Sequence, residues 1–102
     1  MKRVLAALSL SVAVVSPAFA SLALASKSAC LSCHAVDHKV LGPSYQDVAK
    51  KYAGQKDALK TVMANIKSGG AGKWGPIPMP AQTALSDADT HTLATWILGG
   101  AK

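Results

Sequence analysis

The sequence predicts an all-α domain of about four short helices, and three observations carry that reading. No segment alternates apolar and polar residues with period two, as a half-buried strand would. Three segments instead carry apolar side chains at helical spacing, and each stops at Gly: Tyr45 to Tyr52 before Gly54, Lys56 to Lys67 before Gly69-Gly70, and the segment after Ser86 before Gly99-Gly100. The third observation is how the apolar residues are distributed along 102 residues, a length that allows one domain. The first 20 residues hold 14 of the 51 apolar side chains; the 82 that follow hold 37, of which 14 are Ala and two are Cys. The 21 larger ones are too few for four short helices to cohere on their own contacts. Such a chain needs a staple, or a component that fills its core.

Residues 1–20 read as a cleavable secretory signal peptide. Lys2 and Arg3 form a positive start, Val4 to Val15 is apolar apart from Ser, and Ala18-Phe19-Ala20 puts small residues where signal peptidase reads them. The run is short for a membrane span and closely followed by Pro17; an uncleaved anchor is the competing reading. Ala23-Leu24-Ala25 offers a second cutting site. Cutting after Ala20 keeps Leu22 and Leu24 as the apolar side of a first helix, Leu22 to about Ser28. The domain proper is then residues 21–102, exported to the periplasm and with no stable membrane insertion. Its nine Lys and five Asp, with no Arg or Glu, give a charge of +4. The lysines are dispersed and aromatics few, so nucleic acid is a poor partner and a protein with an acidic face a better one.

The remaining elements follow from spacing and punctuation. Tyr45, Val48, Ala49 and Tyr52 form one stripe, and Leu59, Val62, Met63 and Ile66 a second. Gly69 to Ala84, dense in Gly and Pro, is predicted to be ordered loop. Ser86 is a natural N-cap with Asp87 and Asp89 in the positive first turn, and Leu93, Trp96 and Ile97 form the buried stripe of the last helix.

Cys30-Leu31-Ser32-Cys33-His34 is a C-x-x-C-H run, the attachment signature of c-type haem. Two thiols three positions apart reach the two vinyl groups of one porphyrin edge and form thioethers. The next residue, His34, is then carried under the ring, where its imidazole meets iron. A disulfide between these cysteines would close a tiny loop and stabilise little. A thioredoxin-like redox pair needs a βαβ framework that is not visible. A zinc site needs four ligands, and Cys33 and His34 are crowded for one tetrahedral metal. His38 falls in a polar loop and His91 on the solvent side of the last helix, so both are expected to be exposed. For a second axial ligand the sequence offers Met63 and Met79. Met63 sits on a helical stripe, where packing is the default role. Met79 lies in Trp74-Gly75-Pro76-Ile77-Pro78-Met79-Pro80, where flanking prolines stiffen the loop and hold Met79 extended, so Met79 is the expected sixth ligand.

C-x-x-C-H, then Gly42-Pro43-x-Tyr45, then Trp74 through Pro80 resembles the short bacterial class I cytochromes c, over essentially the whole chain after residue 20. The resemblance implies a class I cytochrome c fold around one haem c, covalently bound through two thioethers, and the role of a periplasmic monohaem electron carrier. It implies that the Pro43 carbonyl accepts the His34 Nδ1 proton, orienting the imidazole and strengthening its donation. It implies that Trp74 hydrogen-bonds a haem propionate, and that Gln82 stands where relatives place an amide near the Met sulfur. Two departures stand out. Some relatives carry a basic residue beside a propionate at the position of Asn65, so the neutral amide leaves that carboxylate's ionisation open. The Ala81–Leu85 loop is a residue longer than in some members.

With His34 and Met79 both on iron, no position is free for substrate, so the expected function is one-electron transfer rather than catalysis. This ligand pair and an apolar pocket raise the reduction potential. Expected partners are acidic-faced redox proteins, an upstream membrane cytochrome complex and a terminal reductase or oxidase, meeting a monomer. Lys27 and Lys39 flank the thioether edge in sequence and are the first choices for steering, ahead of Lys50, Lys51, Lys56 and Lys73. The rival class is a haem protein with a labile Met ligand acting as a peroxidase or gas sensor. The proline-stiffened loop and the lack of a distal His or Arg argue against it. A subunit permanently docked to a larger oxidoreductase is a third possibility.

Overall fold

The computed structural model describes residues 6–12 and 16–102. The positive pair Lys2-Arg3 and the two ends of the apolar run, Val4 and Val15, lie outside them. Four helices, α1 (Pro17–Lys27), α2 (Tyr45–Tyr52), α3 (Ala58–Ser68) and α4 (Asp87–Leu98), follow in order, with a single turn of 3-10 helix at Cys30–Ser32 after α1. Among the described residues there is no strand, only two isolated antiparallel bridge pairs, His34 with Lys39 and Gly70 with Met79.

The last helix is the hub: α1, α2 and α3 all pack against α4. Leu93, Trp96 and Ile97 are buried as the stripe predicts, and Thr90 and Ala94 join them. Serine starts three of the four helices by the same device. The Oγ of Ser16, Ser44 and Ser86 accepts the backbone N–H three residues on, from Phe19 at 3.3 Å, Asp47 at 3.0 Å and Asp89 at 3.0 Å. Each cap satisfies a donor that the first helical turn leaves without a partner.

Two expectations need correction. The first helix begins at Pro17, five residues before Leu22, because Ser16 caps it and Pro17 fits its first position. Its inward face is also different: Ser21 and Ala25 are buried and Leu24 packs at the edge of the core, whereas Leu22 faces outward. Small residues allow α1 to lie close to α4, so the larger Leu22 has no room there. The third helix starts at Ala58 rather than Lys56. Gly54 has φ +74 and the Ala58 N–H donates to the Gln55 carbonyl at 3.3 Å, which extends the turn through Asp57. On α3, Val62 and Ile66 are buried and Leu59 and Met63 half-buried. The core is thus thin and lies along α4, and the two long loops reach it through a few side chains, Cys30 and Val36 from the first and Leu85 from the second.

Candidate haem site

The loop carrying the cysteines is wound by short hydrogen bonds. Cys33 and His34 N–H groups both donate to the Cys30 carbonyl, at 3.2 and 3.0 Å, after Ala29 has turned into the left-handed region at φ 62. This one turn brings Cys30 and Cys33, both half-buried thiols, to the same crevice. Burial pushes the Cys30 thiol above its ordinary pKa, against the opposing hydrogen bond with Tyr45.

His34 is held on three sides. Its Nδ1 lies 2.7 Å from the Pro43 carbonyl oxygen. A carbonyl only accepts, so Nδ1 carries the proton and Nε2 of the neutral ring keeps its lone pair. The ring stacks on Tyr45 at 5.4 Å and 21°, and Tyr45 in turn meets Trp96 edge-on at 5.3 Å. Against it lies Gly42, where a Cβ would come 2.6 Å from His34 Cε1; any side chain there displaces the ring. Backbone bonds from Gly42 to the Cys33 carbonyl at 2.7 Å and from Tyr45 to Ala35 at 2.9 Å close the loop onto α2.

The other wall is the long loop after α3. Gly70 and Met79 exchange both backbone hydrogen bonds, at 3.0 and 2.7 Å, and the Gln82 N–H donates to the Ile66 carbonyl at 3.1 Å. Gly69, at φ +66, lies so close that a Cβ would collide with the Met79 carbonyl and come 2.8 Å from Ala81 N. Met79 is half-buried between exposed Pro78 and Pro80, and the whole stretch Ala71 to Pro78 is exposed. Met63, by contrast, does not line this crevice; it borders a surface dimple with Leu59, Lys56, Asp57 and Lys60. Gln82 Nε2 donates to the Pro80 carbonyl at 3.1 Å.

Between the walls is an open crevice, floored by Val62 and Ile66 of α3 and Leu93 and Ile97 of α4. All seven residues singled out in sequence line it: Cys30, Cys33, His34, Pro43, Trp74, Met79 and Gln82. Trp74 is 37% exposed at the rim, beneath the Lys51 ammonium. His38 and His91 are exposed and outside the lining, and His38 Nδ1 bonds Asp37 Oδ1 at 2.9 Å, which holds the Asp37 carboxyl below its usual value. Sequence reasoning took Gly42 as part of a motif and Gly69 as a helix stop, and missed that each leaves room for its neighbours in the crevice wall. It also missed the Tyr52, Asn65 and Lys73 side-chain chain at the rim. The apolar lining, the paired thiols, and an imidazole with a free Nε2 fit a covalently attached porphyrin.

Such an all-α shell, with C-x-x-C-H on one wall and a proline-flanked Met on the other, defines a monohaem c-type protein. The chain belongs to the cytochrome c family: the model of the Cytochrome c family matches residues 22–101. It is 50% identical over 80 residues to cytochrome c-552 of Hydrogenobacter thermophilus, a match covering 78% of this chain and 81% of that one. The crystal structure of Nitrosomonas europaea cytochrome c552 is similar at TM-score 0.74 and 47% identity, covering 76% of this chain and 96% of that one. The class 1 cytochrome MtoD from Sideroxydans lithotrophicus ES-1 is similar at TM-score 0.70 and 31% identity, covering 81% and 95%. The fold is therefore that of the class I cytochromes c, the cofactor is one covalently attached haem c, and the chain stands with electron-carrying cytochromes rather than enzymes. No helix among the described residues is long and apolar enough to cross a membrane.

Proposed function

We propose that the chain is a periplasmic one-electron shuttle in which Cys30 and Cys33 carry the haem and His34 and Met79 are its two axial ligands. The observation that carries this reading is that His34 and Met79 line one apolar crevice, each from a loop whose backbone fixes it, whereas Met63 lies outside. When bound, haem c supplies a ferric/ferrous couple that changes by one electron. The protein does the rest. Pro43 holds the Nδ1 proton, which turns Nε2 to ligation and raises its basicity. Gly70 and the two prolines hold the Met79 thioether with little left to order on ligation. The apolar floor excludes water and disfavours the more highly charged oxidised state. Trp74 at the rim is the expected donor to a propionate, and Gln82, beside Pro80, the expected amide near the sulfur.

The leader reading gains support from burial. Cutting after Ala20 keeps the buried Ser21 and Ala25 and the packed Leu24; cutting after Ala25 would discard all three. Cutting after Ala20 also removes the exposed Leu8, Leu10, Val12 and Phe19, together with the Ser16 cap and the first turn of α1 from Pro17. Docking is proposed at the mouth, where Leu41 and Ile77 line the crevice yet are exposed, near exposed Leu31 and Val40. Lys27 ends α1 just before Cys30, and Lys39 pairs with His34 through the backbone, so both lie beside this edge. An acidic-faced donor, such as a membrane cytochrome complex, and an acidic-faced reductase or oxidase would be steered there, with association slowing as salt is added. The deciding experiment is the mass of the exported protein together with a potentiometric titration. A mass of residues 21–102 plus one haem, monomeric elution on gel filtration and a reversible one-electron wave support the proposal. Absence of covalent haem overturns it.

A further inference from the structure

Near Trp74 the crevice carries more polar structure than holding an iron requires. Lys73 is the only residue of the lining with a fixed charge. Its Nζ donates to Asn65 Oδ1 at 2.8 Å, and Asn65 Nδ2 donates to the Tyr52 hydroxyl at 3.2 Å. Tyr52 is buried in α2, so this chain of bonds ties an exposed loop lysine to the helical frame. A second ammonium stands beside it: Lys51 Nζ lies 4.5 Å from the centre of the Trp74 ring and donates to the Lys73 carbonyl at 3.4 Å. The loop is shaped to present these groups. Gly72 N–H donates to the Gly75 carbonyl at 3.1 Å, with φ +86 and +116 at the two glycines, so Lys73 and Trp74 sit on the tight turn between them.

Among the described residues, neither ammonium of this corner is in an ion pair; the pairs present are Lys67 with Asp87 and His38 with Asp37. One ammonium over an indole and another on an amide, neither paired with a carboxylate, favour an incoming anion. The porphyrin edge with its vinyl groups belongs at Cys30 and Cys33. The carboxylate-bearing edge must therefore lie elsewhere in the crevice, and the lining offers one fixed positive charge to meet it. We infer that Lys73, positioned by Asn65 and Tyr52 and backed by Lys51, is the counter-ion of a haem propionate. The inference rests on the proposed haem attachment. The usual charge logic gives its sign: an ammonium close to a carboxylate favours the ionised form and lowers its pKa. The charged and titratable groups at this corner are Lys51 and Tyr52 from α2 and Lys73 from the loop; α3 contributes neutral Asn65, and the residues that α4 gives to the crevice, Leu93 and Ile97, are apolar.

The test is the propionate titration, read from the pH dependence of the haem-methyl NMR shifts in the ferric holoprotein. Lys73→Met should raise the propionate pKa by about one unit, Lys73→Arg should leave it near the wild-type value, and Asn65→Leu should raise it by less than Lys73→Met. Equal titration in the wild type and Lys73→Met, with the haem still attached, would overturn the assignment and leave the carrier reading standing. A wild-type chain without covalent haem would overturn both. A Lys73→Arg variant that titrates like Lys73→Met would also count against it, since a cation at this position is what the assignment requires.

Discussion

The two loops that line the crevice are built on different principles. On the wall carrying His34, protein surrounds the side chain: a carbonyl fixes Nδ1, Tyr45 stacks on one face, and Gly42 leaves just enough room for the ring. On the wall carrying Met79, protein fixes the backbone and leaves most side chains to solvent. One bridge pair, two flanking prolines and the close approach of Gly69 do the positioning, and residues 71–78 are exposed. The histidine is thus set by packing, and the methionine by chain stiffness. Haem bound as proposed would complete the second wall more than the first, because that wall has little protein to bury itself against.

Each prediction strains this contrast at a different point. The largest effect is expected from Cys30→Ala or Cys33→Ala, which should lose holoprotein and cooperative folding together, read by haem absorbance and thermal melts. A stable folded chain without haem would mean that the thin core along α4 suffices. Next comes Met79→Ala. Haem should stay attached while the sixth position opens, the potential drops, and amide exchange speeds up within the Gly69–Ala81 loop but not in α2 or α4. Equal loss of protection across the helices would erase the distinction between the walls. Gly42→Ala should cost about 1–3 kcal/mol by overpacking against His34, measured by denaturant unfolding of the holoprotein. Ser86→Ala should cost about 1 kcal/mol by uncapping α4, whichever wall is considered.

The smallest effect is expected on the acid side. The His38 hydrogen bond lowers the Asp37 pKa, so this pair contributes stability above the ordinary carboxylate range and loses it as pH falls through the folded-state value. Both side chains are well exposed. Asp37→Asn should leave the melting midpoint at neutral pH unchanged within error and flatten only the acid limb of its pH dependence.

Local chemistry was the most legible part of the sequence. C-x-x-C-H and the proline-flanked Met79 are contiguous, and the α2 and α4 boundaries follow from Gly punctuation and helical stripes. The inward face of α1 was misread because a hydrophobic stripe favours Leu22, whereas close helix packing favours the smaller Ser21 and Ala25. In the sequence the glycines read as helix stops or motif members. Gly42 instead exists for the space it leaves to a ring nine residues from Pro43's carbonyl in the same hydrogen bond. The Tyr52, Asn65 and Lys73 chain joins three separate elements across 13 and 8 residues, and no local pattern signals it. The sequence reading of Asn65 as a missing charge is sharpened by the structure, which brings a lysine to the same amide from the neighbouring loop.

The central claim is that the two walls bring one imidazole and one thioether to the same iron. The near-infrared sulfur-to-iron charge-transfer band of the oxidised protein at neutral pH tests it most directly. The band should be present in the wild type and in Met63→Leu and absent in Met79→Ala. Its absence from the wild type, or its survival in Met79→Ala, would contradict the account.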